Sequence, residues 1–560
     1  MTSAPRRPVD ALCDRFVDES CALDPVTATA IGVPGHDHRL TDLSPDGYAA
    51  REDHLRTTLA AARSAVPSDE REQAAKDAFL ERLDLTLERS EAHVPQSEVS
   101  VVVSGLHDLR MCFDLMDTSS EQGWHDVDAR LASVASTLEG YRRTLAGEAD
   151  AGYVSAKRQY AEVATQIRQW TGRSAARSIF TTLVGRAPDG PLRRDLERHA
   201  ADATEAVADF GRFLEEDLGP RGRDRDAVGR EQYELASRYF LGARVDLDET
   251  YAWGWQELHR IEEEMRAIAG EFVPGGSIED AAQLLDDDPE RFIDGKDRFR
   301  AWMQELADRT LGELAGTQFD VPEPVRRIEC CIAPTQDGGI YYTGPSEDFS
   351  RPGRMWWSVP EGVTRFSPWR EVTTVYHEGV PGHHLQVAQT CYRSDTLNRW
   401  QRLMCWVSGS GEGWALYAER LMDELGRLTD SADRLGMLDA QALRAARVVV
   451  DIGMHLDLPI PADNPFGFHP GERWTPELCL EFMRASSRVD DATLRFEVNR
   501  YLGWPGQAPS YKVGERLWLQ GRDEVRARHG AAFDLKAFHR AALDLGSVGL
   551  DPLMASLARL

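Results

Sequence analysis

The chain has 560 residues, with 65 Lys and Arg against 93 Asp and Glu, a formal charge of −28. Apolar residues make up 42% of it, enough for a large core, so whole-chain disorder is excluded. So acidic a surface repels phosphate backbones and anionic lipid, and neither nucleic acid nor membrane is an expected partner.

No 18-residue apolar run occurs, so no transmembrane helix is expected. The opening stretch, MTSAPRRPVDALCDRF, carries the pair Arg6-Arg7 without an apolar run, so no secretory signal is expected there. The eight cysteines are scattered, with no C-x-x-C pair; they read as reduced thiols, and the expected compartment is the cytoplasm.

The first 310 or so residues read as successive helices. Phe79, Leu83 and Leu87 form one apolar stripe. Trp124, Val127, Leu131, Val134, Leu138, Tyr141 and Leu145 alternate spacings of three and four, one face of a long helix. Leu258, Ile261, Met265 and Ile268 form a third stripe beside Glu262, Glu263 and Glu264. Breaks fall at 188–190, 219–222 and 274–276, and none is a long flexible linker. Near residue 320 Pro and Gly become frequent, with short β-type runs at 327–333 and 339–343, expected to form a small antiparallel ribbon. The expected fold is mostly α, with a helical region over 1–320, a region over 321–560 holding the ribbon and the site, and no linker between them, hence one continuous domain.

Helical character returns at Trp369 and leads into Val375-Tyr376-His377-Glu378-Gly379-Val380-Pro381-Gly382-His383-His384-Leu385-Gln386. In H-E-x-x-H, two histidines one turn apart hold zinc and the Glu is the general base. Here Pro381 stands where the second histidine would be. Proline removes a helical hydrogen bond and clashes with the carbonyl four residues back, so a bulge or kink is expected there. An insertion of two residues would bring His383 to the ligand position. His377 and His383 are therefore the preferred pair, with His384 as the alternative. A third ligand is expected from Ser408-Gly409-Ser410-Gly411-Glu412-Gly413-Trp414, whose small residues allow close helix approach. Glu412 is the candidate, and Glu419, seven residues on, reads as an acid behind the ligands rather than one of them. Zn2+ is the expected cofactor, and Glu378 the expected base.

H-E-G-V-P-G-H-H-L-Q followed by E-G-W-A-L-Y-A-E resembles the family called domain of unknown function 885. The likeness extends to residues 24–32, to Tyr342, Pro345 and Arg351-Pro352-Gly353, and to Arg500-Tyr501 and Pro505–Gly514. It implies a zinc metallopeptidase of the gluzincin kind, distantly similar to helical carboxypeptidases of the Taq type. The implied fold is a helical body split by a deep central cleft, one wall formed by residues 1–320, with the zinc helix on the cleft floor. A β-edge at 338–343 would pair with the substrate backbone.

Tyr511 and Lys512, in the loop P-G-Q-A-P-S-Y-K, are candidates to steady an oxyanion and to hold a substrate carboxylate. Arg444, Arg447, Asp451 and His455 share one helix face, either behind the metal site or as an interior ion-paired face. Tyr342, His384 and His455 join Lys512 as candidate substrate contacts. The expected activity is hydrolysis of amide bonds in small peptides, of dipeptidase or carboxypeptidase type. Two alternatives stand beside it: a zinc enzyme acting on an amide-bearing metabolite, and a non-catalytic helical scaffold with a structural metal.

Overall fold

The computed structural model describes residues 7–174, 177–333 and 339–559, and its fold is mostly α. Gly338, in the expected β-edge, and residues 1–6, at the start of the N-terminal stretch, lie outside the described residues. Two compact units are present. The first runs up to Val228 and includes Asn499–Trp504; the second holds Gly229–Val498 and Pro505–Leu560.

In the first unit, helix α1 (Glu121–Asp150) begins where the Ser120 hydroxyl accepts the Gly123 N–H at 3.0 Å. All seven residues of its apolar stripe are buried, as their spacing predicts. Helix α2 (Pro191–Phe213) meets that stripe with Leu196, Ala200, Ala203, Val207 and Phe210. Tyr141 and Phe210 stack across the seam, ring centres 5.4 Å apart.

In the second unit, α3 (Leu247–Phe272) buries Leu258, Ile261, Met265 and Ile268. Two short strands, β1 (Ile293–Asp294) and β5 (Arg365–Phe366), pair antiparallel. Between them in sequence lie β2 (Ile328–Ile332), β3 (Ile340–Thr343) and β4 (Gly353–Trp357). The runs expected as a ribbon both form strands but do not pair with each other. β4 lies between them, parallel to β2 and antiparallel to β3. β4 was hidden in the sequence by the Pro-Gly texture before it, yet Gly353, Met355 and Trp357 alternate inward as a strand requires.

Five helices build the site: α4 (Pro368–Glu378), α5 (His383–Tyr392), α6 (Ser408–Glu424), α7 (Ser431–His455) and α8 (Ser510–His529). Their close packing depends on glycines. A Cβ on Gly436 of α7 would lie 2.0 Å from the Trp369 carbonyl oxygen of α4. Where α6 meets α8, a Cβ on Gly413 would lie 2.5 Å from the Gly514 carbonyl carbon, and one on Gly514 would lie 2.2 Å from the Gly409 oxygen. The small residues before Glu412 thus bring its helix against α8. Among the described residues no helix is long and apolar enough to cross a membrane.

Candidate metal centre

The kink expected at Pro381 is a full break. α4 ends at Glu378 and α5 starts at His383. Proline cannot donate to continue the ladder, and the four residues between the helices fold back on the end of α4. The Gly382 N–H reaches the Tyr376 carbonyl at 3.0 Å, and the His384 N–H reaches that of Gly379 at 3.1 Å. Only glycine fits at 382, because a Cβ there would lie 1.9 Å from the His377 carbonyl oxygen. The Trp414 indole N–H of α6 donates to the carbonyls of Pro381, at 2.8 Å, and Gly382, at 3.2 Å. The break is therefore fastened to the helix that carries Glu412.

This folding brings His377, His383 and Glu412 together, with one ligand atom from each within 4.8 Å of the others. Glu412 Oε2 lies 3.4 Å from His377 Nε2 and 3.3 Å from His383 Nε2. That oxygen is buried and has no hydrogen-bond partner. Zinc bonds of about 2.0–2.2 Å in tetrahedral directions would separate ligand atoms by about 3.3–3.6 Å. The spacing of both imidazole nitrogens from the orphaned oxygen fits a metal ion.

His377 is held from behind. Its Nδ1 is 2.7 Å from Glu419 Oε1, and the Thr373 hydroxyl donates to the other oxygen of Glu419 at 2.5 Å. The contact at Nδ1 fixes the ring so that Nε2, on the Glu412 side, is the nitrogen that would be offered to a metal once its proton is displaced, the usual carboxylate–histidine arrangement. Glu419 is fully buried. Burial pulls the His377 pKa down, but Glu412 and Glu419 outweigh it and raise it to about 9. Burial likewise pushes Glu412 up, and the two imidazoles reverse that to hold it below the usual carboxylate range. The pocket thus favours a positive charge beside Glu412. Glu378 is buried next to it, and its carboxyl is raised chiefly by that burial, partly offset by His383 and His377.

A family model described as "Bacterial protein of unknown function (DUF885)" matches residues 25–557. The chain belongs to the DUF885 family. It is similar over 98% of both chains to a solved structure described as a putative lipoprotein from Colwellia psychrerythraea, with TM-score 0.85 at 20% identity. It is also similar, over 98% of its own length and 99% of the other chain, to a putative lipoprotein of unknown function from Shewanella oneidensis, with TM-score 0.73 at 16% identity. At these identities the likeness is one of fold. No curated protein matches the sequence.

Elsewhere in this DUF885 chain the structure corrects four expected substrate contacts. His384 faces away from the centre: its Nε2 is 2.7 Å from the Val325 carbonyl and its Nδ1 is 2.9 Å from the Tyr342 hydroxyl. The carbonyl can only accept, so Nε2 carries the proton and Tyr342 donates to Nδ1. Burial agrees, lowering the His384 pKa to about 4. Neither His384 nor Tyr342 keeps a donor for substrate. Gly353 makes room for this pair, since a Cβ there would lie 2.0 Å from the Tyr342 oxygen. Lys512 is buried, not a free cation: it is 3.0 Å from Glu257 and bonds Glu515 and Gln441. It lies in the first turn of α8, as does Tyr511, so the expected loop ends at Pro509. His455 closes α7 fully buried, its ring stacked on Tyr233 at 5.6 Å and its Nε2 3.9 Å from Asp451. Asp451 accepts from the Tyr233 hydroxyl at 2.6 Å and from the Gly506 N–H at 2.9 Å. The C-terminal part of the charged face is therefore an interior network that anchors the segment before α8.

Arg444, one to three turns earlier, acts on the site: its charge lowers Glu419 and partly offsets the rise of Glu378. Arg447 pairs with Glu497 at 2.7 Å and covers the Tyr511 ring at 5.0 Å. Sequence reasoning missed Thr373, and it missed the role of Trp414. Thr373 lies one turn before His377 and was findable by asking what orients that histidine.

Proposed function

We propose that this DUF885 chain is a zinc-dependent hydrolase that cleaves amide bonds of small peptides, in the manner of gluzincin peptidases. The observation that carries the reading is the orphaned Glu412 Oε2, 3.3 and 3.4 Å from two imidazole nitrogens, with buried Glu378 adjoining the first of those histidines. His377, His383 and Glu412 would hold the ion, which when bound supplies Lewis acidity and lowers the pKa of water.

The chain's own groups do the proton work. Glu378 accepts a proton from the attacking water and delivers it to the leaving nitrogen. Its raised carboxyl pKa suits both halves of that transfer. Glu419 and Thr373 fix the His377 ring. Tyr511 is the proposed donor to the oxyanion. It lies one turn before Gly514, which abuts Gly409 and Gly413 on the helix of Glu412. β3 is an edge strand pinned by Tyr342 to His384, one residue from His383, which supports backbone pairing with an extended substrate.

Among the described residues no disulfide joins any of the eight cysteines, which is compatible with a reducing compartment, and the cytoplasm is the proposed location. The two similar structures are described as putative lipoproteins, a likeness of fold alone at 20% and 16% identity, and cell fractionation tests the cytoplasmic location.

Glu378→Gln tests the hydrolytic reading. The variant is expected to keep its zinc and to lose at least about 10²-fold in turnover on a dipeptide panel. Near-parental turnover would remove Glu378 as the base.

A further inference from the structure

Trp406 is 46% exposed, although it lies between buried Cys405 and Val407. Its backbone is fixed. The Trp406 N–H donates to the Met404 carbonyl at 3.1 Å, and the residue bridges to Ser547 in parallel. The indole is thus held outward by design of the chain rather than by a loose loop.

It also stands beside the metal centre. Its ring centre is 5.7 Å from that of His383, the planes at 59°. Its six-membered ring lies on Gly411, the residue before Glu412. A Cβ on Gly411 would be 2.3 Å from the ring carbon Cη2 and 2.5 Å from Cζ2. One indole therefore borders two of the three candidate ligands, touching one directly and the other through its neighbour. An exposed tryptophan face is a large apolar area left in water, and its pairing with another ring is favourable beyond area alone.

We propose that Trp406 is a substrate-binding platform that selects an aromatic side chain next to the scissile bond. The inference rests on the hydrolase reading for the bond cleaved, but not for the platform itself. Trp406 has no role in proton transfer. It sets which substrate is retained beside His383 and Glu412.

The test compares L-phenylalanine hydroxamate with glycine hydroxamate, whose shared head group binds zinc and whose difference is the ring. Binding to the zinc-loaded chain is measured calorimetrically. The parental chain is expected to bind the phenylalanine compound about tenfold more tightly. Trp406→Ala should abolish most of that preference while leaving glycine hydroxamate affinity unchanged, and Trp406→Phe should restore part of it. Gly411→Ala, which forces the indole off its seat, should also reduce the preference. A zinc-loaded parental chain without the preference, or a Trp406→Ala chain that keeps it, would overturn the platform. A preference lost in Trp406→Ala, with no peptide hydrolysed by the parental chain, would uphold the platform and reject the peptidase reading.

Discussion

The indole N–H of Trp414 donates to the carbonyl of Pro381 at 2.8 Å, so the helix carrying Glu412 also holds open the break from which His383 emerges. The position of Glu412 and the geometry of the break are coupled through this one indole. Trp414→Phe keeps most of the buried ring and removes the donor, leaving the Pro381 and Gly382 carbonyls without it. A lost bond to a buried acceptor costs about 1–3 kcal/mol. Zinc affinity should fall by about tenfold or more, with helical content unchanged by circular dichroism. Undiminished affinity would show that the break holds its shape without Trp414.

The clustering of His377, His383 and Glu412 was more legible in the sequence than its surroundings were. His377, His383 and Glu412 were legible because a proline inside H-E-x-x-P-G-H-H has a physical consequence that can be worked out from spacing. The helix stripe from Trp124 to Leu145 was legible because burial follows periodicity. The strand Gly353–Trp357 was not, since parallel pairing with Ile328–Ile332 joins segments some twenty residues apart and leaves no hairpin signal. Lys512 misled for a related reason. A lone cation in an acidic chain looks free until the fold places Glu257, 255 positions earlier in the sequence, beside it. Trp406 had no periodic partner to mark it.

Lys512 is expected to support the fold and not the substrate. Lys512→Met would leave Glu515, buried in the second unit, without its lysine partner. Removing one member of a buried pair typically costs about 3–5 kcal/mol. The midpoint of urea unfolding should drop accordingly, and Lys512→Met with Glu515→Gln should recover much of the loss. A variant as stable as the parent, with weakened binding only of substrates bearing a free carboxylate, would restore the substrate role.

Two titratable groups, half-buried Glu371 and buried His539, give stability slopes of opposite sign with pH. Burial raises the Glu371 carboxyl to about 7, against the Trp357 N–H that it accepts at 3.2 Å. From its ordinary value of 4.5 up to about 7, the folded chain keeps a proton that the unfolded chain releases, so this group lowers stability as pH rises. His539 is the reverse. Burial lowers it to about 3, with Nε2 2.8 Å from the Tyr417 hydroxyl. Between about 3 and 6.5 the unfolded chain takes up the proton, and stability falls on acidification. Glu371→Gln should match the parent near pH 4.5 and exceed it at pH 8 in thermal unfolding. An unchanged difference across that range would place the Glu371 titration elsewhere.

The most direct measurement is calorimetric titration of metal-free chain, prepared without a histidine tag, with zinc at pH 7. One ion per chain is expected, with protons released because His377 is protonated between Glu412 and Glu419 before the ion displaces its proton. His377→Ala and Glu412→Ala should each abolish tight binding, and Glu419→Gln should weaken it by about 10–100-fold. No zinc uptake by the parental chain, or uptake equally tight in His377→Ala and Glu412→Ala, would contradict a metal centre at His377, His383 and Glu412.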